Sequence, residues 1–325
     1  MPTPPCDVTI ALDRYDRHVP LFMGAVRAPE GLRYRALEVG MVPPRRDGID
    51  RHRRMLKDLE FDAAEVSLAS FIMARQRGVP LAGIPVFPRR LFSQNHIFVN
   101  RDAGIREPAD LAGKRVGLWA FQVTMSVLAK GDLKSHYGIP WEGVRWYTQF
   151  PEEVEWSHPK VSITRVEKDL AQMLVAGEID AFIHPHPPAV VQNRSDRVER
   201  LFEDAEGECV RYFAARRYYP IMHLLAVKEE RIRERPSLPR ELMKLWEESK
   251  TQSHDFYHDP GYALLAFARN HYEDQAHGLG PDPWTSGLKA NRANLEQFVG
   301  YMVDQRLLDE PIAVDSLFHS SLRDT

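Results

Sequence analysis

Histidines, arginines and carboxylates that fall at the ends of apolar runs are where this chain could do chemistry. His184 and His186, in HPHPP, follow the run 179–183. His96 follows Ser93, Gln94 and Asn95, and His223 sits inside YPIMHLLAV. An imidazole changes charge near pH 6.5, so each could move a proton for a bound molecule. The ordinary roles are a hydrogen-bonded hinge for His96, a satisfied core histidine for His223 and a loop for HPHPP. The pair at i, i+2 could ligate a metal, but no carboxylate or cysteine nearby completes a set, so no metal is expected. Arg89 and Arg90, in PRRLFSQNH, either clamp a carboxylate with a guanidinium fork or lie solvated on a loop. Asp16 and Arg17 follow the first apolar run and either contact a ligand or pair with each other at the surface. Glu65 and Ser67 end another run. There a carboxylate could orient a histidine or accept from hydroxyls, while Ser67 could cap the following helix. Gln122, Thr124 and Ser126 open a helix whose free N–H groups form an anion seat. Trp119 and Phe121 beside it could stack on an aromatic ring or fill the core.

These residues need strands and helices to hold them. Apolar runs at 8–12, 32–39, 61–66, 81–87 and 96–100 read as strands. Between them, 20–26, 48–59 and 71–77 read as helices, the last stopped by Gly78. Strand and helix alternate, the signature of a mostly parallel sheet with helices on its faces. Ligands of such sheets bind beyond the carboxyl ends of the strands, which here means 13–18, 65–70 and 87–96. A second α/β block starts near Arg101. It has strands at 115–118, 144–148 and 179–183, helices at 122–130 and 166–176, and a Glu- and Pro-rich excursion at 151–162. After about Arg217 the pattern turns helical, with candidates at 238–253, 262–271 and 291–305. The expected organisation is lobe one at 1–100 plus 218–325 and lobe two at 101–217.

The chain has 325 residues, net charge -3 and 27% charged residues, ordinary for a soluble two-lobed protein. Nothing in that balance points to nucleic acid or an anionic membrane surface. The two cysteines, Cys6 and Cys209, have no metal-ligand spacing. No secretory leader and no apolar stretch of membrane-spanning length is legible, so a cytoplasmic location is expected. Phosphate-loop, dinucleotide, nucleophile-elbow and zinc-protease motifs are missing. The basic run RHRR at 51–54 reads as the solvated face of a helix.

Several segments together carry a resemblance. They are YDR at 15–17, EFDAAEVSLASF at 60–71, PVFPRRLFSQNHIFVN at 85–100, GIREPADLAGKRVG at 104–117 and FQVTMS at 121–126. MLVAGEIDA at 173–181, YPIMH at 219–223 and GLKANRANLEQF at 287–298 follow in the same order. The chain resembles the 4,5-dihydroxyphthalate decarboxylase family, from about residue 7 to 310. The 104–117 and GEIDA segments are generic to binding proteins of the same fold, whereas PVFPRRLF, FQVTMS and YPIMH are more specific. The resemblance implies a two-lobed type II periplasmic-binding-protein-like fold with a cleft, a helical C-terminal region and a small aromatic acid as substrate. It implies no metal or organic cofactor, and a homo-oligomer is expected. It favours Arg90 as the carboxylate clamp and strengthens His223 as a catalytic group.

The implied reaction removes one carboxylate from 4,5-dihydroxyphthalate, in an interlobe cleft, and leaves protocatechuate. The retained carboxylate needs a cation. A hydroxyl para to the departing group can, once deprotonated, push electrons to the ring carbon and give a dienone. Such a site needs a base at the phenol and a proton for the ring carbon, each positioned group being worth about 10²–10⁴-fold. The expected catalytic residues are His96, His184, His223 and Asp16. The expected substrate contacts are Arg17, Glu65, Ser67, Arg89, Arg90, Ser93, Trp119, Phe121, Gln122 and Thr124. A solute-binding protein feeding a transporter is the competing function. Other enzymes of the fold, such as those of menaquinone synthesis or the thiamine-pyrimidine synthase, are a third; the last uses a Cys-rich segment that this chain lacks.

Overall fold

The computed structural model describes residues 6–40, 51–152, 156, 158–193 and 195–325. Its strands are β1 (Cys6–Leu12), β2 (Leu32–Glu38), β3 (Ala63–Ser67), β4 (Leu81–Arg90), β5 (Ile97–Asn100), β6 (Arg115–Leu118), β7 (Arg145–Thr148), β8 (Ser162–Arg165), β9 (Ala181–Ile183), β10 (Val198–Arg200) and β11 (Ile221–Lys228). They form two sheets, in orders β2-β1-β3-β11-β4 and β10-β5-β9-β6-β7-β8. The chain divides into two compact units. Unit one holds Met1–Arg90, Ile221–Ala293 and Ala313–Thr325; unit two holds Leu91–Pro220 and Asn294–Ile312.

In unit one, β1 runs parallel to β2 and β3, while β11 is antiparallel to both β3 and β4. The start of β11 therefore lies beside the carboxyl ends of β3 and β4, and His223 pairs in register with Ser67 and Arg89. The β4–β11 ladder shifts register on either side of His223, the kind of irregularity that re-aims a side chain. One sheet face is covered by helix Leu238–His254. Its Leu238, Leu242, Leu245 and Trp246 follow the 3.6-residue period and pack on Ile10, Leu12, Ile84 and Val86. Each such side chain stabilises the unit by about 1.5–3 kcal/mol. This packing anchors the strands whose ends carry the polar groups.

In unit two, β9, β6, β7 and β8 are parallel, and β5 is antiparallel to β9 and β10. The segment Leu91–Asn100, expected in lobe one, belongs here because β5 pairs with β9 and β10. Residues 294–312 of the helical C-terminal region also pack in unit two. A helix reading at 48–59 appears as Arg51–Leu56, with 48–50 outside the described residues; parts of the 151–162 excursion, 153–155 and 157, also lie outside them. No helix among the described residues is long and apolar enough to cross a membrane.

Candidate functional site

A buried carboxylate organises the carboxyl edge of the unit-one sheet. Glu65, the central residue of β3, is fully buried. Its Oε1 accepts from the Tyr15 hydroxyl at 3.0 Å and lies 2.5 Å from His223 Nδ1. Its Oε2 accepts from the Asp13 N–H at 3.1 Å and faces Arg51 Nη2 at 3.3 Å. Arg51 is itself fully buried, and its Nε donates to the Glu65 carbonyl at 3.0 Å while its Nη1 lies 3.7 Å from Asp13. Sequence periodicity cannot reveal this arrangement, because RHRR carries the composition of a solvated face. Two of its members turn inward instead. Beside Arg51, His52 accepts from the Ser67 N–H through Nδ1 at 3.1 Å, and its ring lies 4.9 Å from that of His223. The signal that could have been read is the i, i+4 spacing that puts Arg51 on the same helix face as the buried Met55.

The electrostatics follow from burial and pairing. Burial alone would raise the Glu65 pKa, but the Arg51 charge and the His223 hydrogen bond hold it well below the usual carboxylate value. Burial pushes His223 down to about 4 despite its bond to Glu65, so the imidazole is neutral near pH 7. A neutral His223 that donates Nδ1–H to Glu65 carries its lone pair on Nε2, the basic atom of the pair. His52, accepting at Nδ1, carries its proton on Nε2. Burial raises the Tyr15 pKa, so that phenol stays protonated and donates to Glu65. Arg89 is half-buried beside His223, and its charge bears on both His223 and Tyr15. The unit-one edge thus offers a neutral base, an imidazole N–H donor and a cation.

Other expected residues take different places. Arg90 is buried: its Nη2 donates to Thr285 O at 2.9 Å and to Asn291 Oδ1 at 2.5 Å, bracing β4 against the chain after helix Ala268–Leu279. Arg89, one residue earlier in an alternating strand, faces His223 instead. Arg17 donates to Pro88 O through Nε at 2.8 Å, and its guanidinium lies between the rings of Tyr15 and Trp284, at 4.3 and 3.9 Å. Asp16 accepts from Arg17 and from the Tyr257 hydroxyl. Both line a cavity of about 250 Å³ with His254, His271, Tyr257 and Tyr272, beyond the Tyr15 ring from Glu65.

In unit two, His96 Nδ1 lies 3.1 Å from His184 O, and His184 packs its ring on Phe182 and 5.3 Å from Trp119. His186 neighbours His184 at 5.7 Å between rings. Trp119 stacks on Phe150 at 4.0 Å. These histidines and Trp119 gather at the carboxyl ends of β6 and β9. Ser93 donates to the buried Asp132 at 2.6 Å, an interior contact rather than a ligand-facing one. Phe121 is a core residue packed among Trp141, Trp146 and Trp156, with the Lys130 Nζ 2.9 Å from its ring centre. The anion seat expected before helix Thr124–Ser135 holds the chain's own carboxylate: the N–H groups of Phe121 and Gln122 donate to Glu152 at 2.6 and 2.9 Å. Gln122 and Thr124 are buried there. Among the described residues no group of three or more His, Cys, Asp or Glu could hold a metal ion.

Residues 37–140 match the model described as NMT1/THI5 like. The 4,5-dihydroxyphthalate decarboxylase of Comamonas testosteroni is 28% identical over 96% of this chain and 96% of that protein. The 4,5-dihydroxyphthalate decarboxylase of Pseudomonas putida is 30% identical over 51% of this chain and 68% of that protein. Among solved structures, the periplasmic aliphatic sulphonate binding protein SsuA from Escherichia coli aligns with TM-score 0.61 at 13% identity, over 99% of this chain and 100% of the other. The desulfurization enzyme DSZB aligns with TM-score 0.52 at 15% identity, over 98% of each chain. These structural likenesses establish the periplasmic-binding-protein-like fold.

Proposed function

The chain belongs to the 4,5-dihydroxyphthalate decarboxylase family and is a decarboxylase, and we propose that its substrate is a hydroxylated aromatic dicarboxylate, 4,5-dihydroxyphthalate first, converted to protocatechuate and CO2 by His223 and its buried Glu65. The observation that carries this reading is the 2.5 Å pairing of His223 Nδ1 with a fully buried carboxylate. Glu65 fixes the His223 tautomer, so Nε2 accepts the proton of the hydroxyl para to the departing carboxylate. The phenolate electrons shift into the ring, and the ring carbon bearing that carboxylate takes a proton. The C–C bond then breaks, its electron pair restores the aromatic ring, and His223 returns its proton to the oxygen. One proton is consumed and one CO2 is released per turnover. Arg89 supplies the positive charge beside the base, and the His52 Nε2–H donates to a substrate oxygen. Burial lets the His223–Glu65 pair act at greater strength than in water. The experiment is turnover in D2O followed by NMR of the product. Protocatechuate with one deuterium at the carbon that lost its carboxylate is the expected result. Recovery of bound, unchanged substrate would overturn the reading.

A further inference from the structure

Seven large apolar side chains are exposed among the described residues, and five of them fall in the short segment 256–267. Phe256 is 40% exposed, Tyr262 67%, Leu264 103%, Leu265 69% and Phe267 69%. Scattered exposed apolar residues need no explanation, but a contiguous group of this kind marks a contact surface. The segment joins a turn at Asp255–Tyr257 to helix Ala268–Leu279, both in unit one. Among the described residues no side chain covers Leu264.

We propose that this segment is where a second copy of the chain docks, in a two-fold contact that sets the segment against itself. Area is the first argument. Taking about 200 Å² for each bare side chain, the exposed part of the five is roughly 700 Å². Doubled across a two-fold axis, this reaches about 1,400 Å², inside the range of stable interfaces and above that of weak encounters. Self-pairing also needs only this one patch, because a two-fold contact uses the same surface on both copies. Charge is the second argument. Asp255 precedes the five apolar residues, Asp259 falls after the first of them and Arg269 follows the last. Two antiparallel copies set the acidic flank of one against the basic flank of the other, which fixes register more than it adds affinity. A lipid surface would call for a basic rim; here Arg269 is the cation nearest the segment in sequence and Glu273 pairs with it at 2.7 Å.

The contact has a consequence for the neighbouring cavity. Leu265 and Ala268 line the cavity that holds Asp16, Arg17 and His254. A partner seated on Leu264 and Leu265 covers that wall, so association removes the cavity from open solvent.

Sedimentation velocity from about 1 to 100 µM tests this directly. The wild-type chain is expected at twice the 37.4 kDa protomer mass or a higher even multiple. Leu264→Asp with Phe267→Asp is expected to weaken association at least about a hundredfold, the scale of losing two central apolar anchors. Both positions are exposed, and an unchanged near-ultraviolet circular dichroism spectrum confirms that the fold survives. A milder pair, Leu264→Ser with Phe267→Ser, gives the same direction if the charged pair disturbs the segment. A wild-type chain that stays at 37.4 kDa throughout, or an assembly whose mass neither pair changes, overturns the proposal. Neither result bears on whether the enzyme turns over 4,5-dihydroxyphthalate.

Discussion

Replacing Glu65 by Gln is the sharpest test of how the site is built. Glu65 receives four groups on two oxygens: Tyr15 and His223 on Oε1, Asp13 N–H and Arg51 on Oε2. A glutamine has one oxygen and one NH2. Its NH2 cannot face Asp13 N–H and Arg51, because neither can accept. It must face Tyr15 and His223. There the Tyr15 hydroxyl can rotate, and His223 can accept only by moving its proton to Nε2. The basic atom is then lost, and kcat should fall about 10²–10⁴-fold. Stability falls as well, because Arg51 is fully buried and loses the charge of Glu65, with Asp13 at 3.7 Å as a remaining counter-charge among the described residues. Breaking a buried pair on one side costs about 3–5 kcal/mol, and the remaining Asp13 places this case near 3. For a chain of 325 residues, at about 2.1 cal/mol/K of unfolding entropy per residue, that lowers Tm by roughly 4–5 °C. The assays are CO2 release, thermal melting and nitrogen NMR of the histidine tautomers. A variant with kcat within about threefold of wild type and an unshifted Tm would refute the reasoning.

Three further outcomes follow from other buried groups. Burial holds His18 at about 4, against 6.5 for a free imidazole, while its Nδ1 bonds Asp13 O at 2.6 Å. The unfolded chain binds that proton more tightly, so this contribution, about 3 kcal/mol, is present above pH 6.5 and lost as pH falls towards 4. His18→Asn should flatten that limb of a denaturant-midpoint profile against pH. Asp132 works in the opposite sense. Burial raises it from 3.8 to about 6 even though Ser93, Tyr212 and Tyr301 hydroxyls donate to it. The folded state then holds the proton more tightly, so stability declines as pH rises from about 4 to 6; Asp132→Asn should remove that slope and add up to about 3 kcal/mol at pH 8. Finally, Gly131→Ala places a methyl 2.2 Å from the Tyr301 ring. Overpacking of this kind costs about 1–3 kcal/mol, read as a lower urea midpoint.

The strands were legible because their apolar runs are bounded by turn residues: β6 spans 115–118 as expected, and β1, β2 and β5 are placed to within about two residues. β8 and β10 were not legible. Ser162–Arg165, mostly exposed, and Val198–Arg200, partly buried, are short edge strands without an apolar run. The lobe boundary near Asn100 moved to Arg90 because strand pairing, which periodicity does not encode, takes β5 into the second sheet. Within the site, Glu65, His223 and Arg89 were reachable from sequence because each lies within a few residues of the end of an apolar run. Arg51 and His52 were not, since their burial depends on a tertiary pairing with Glu65 and Ser67. The anion seat was expected at Gln122, Thr124 and Ser126; the N–H groups that donate are those of Phe121 and Gln122, and no local pattern reveals that Glu152, about thirty residues on, accepts from them.

The central claim is that His223 is the base of a decarboxylase. Its most direct test is CO2 release from 4,5-dihydroxyphthalate by the chelator-treated protein, measured side by side for wild type and His223→Gln. The account predicts turnover by the wild type and a kcat lower by at least about a hundredfold in the variant, with KM little changed. Equal turnover by both proteins, or binding without CO2 release by the wild type, would contradict it.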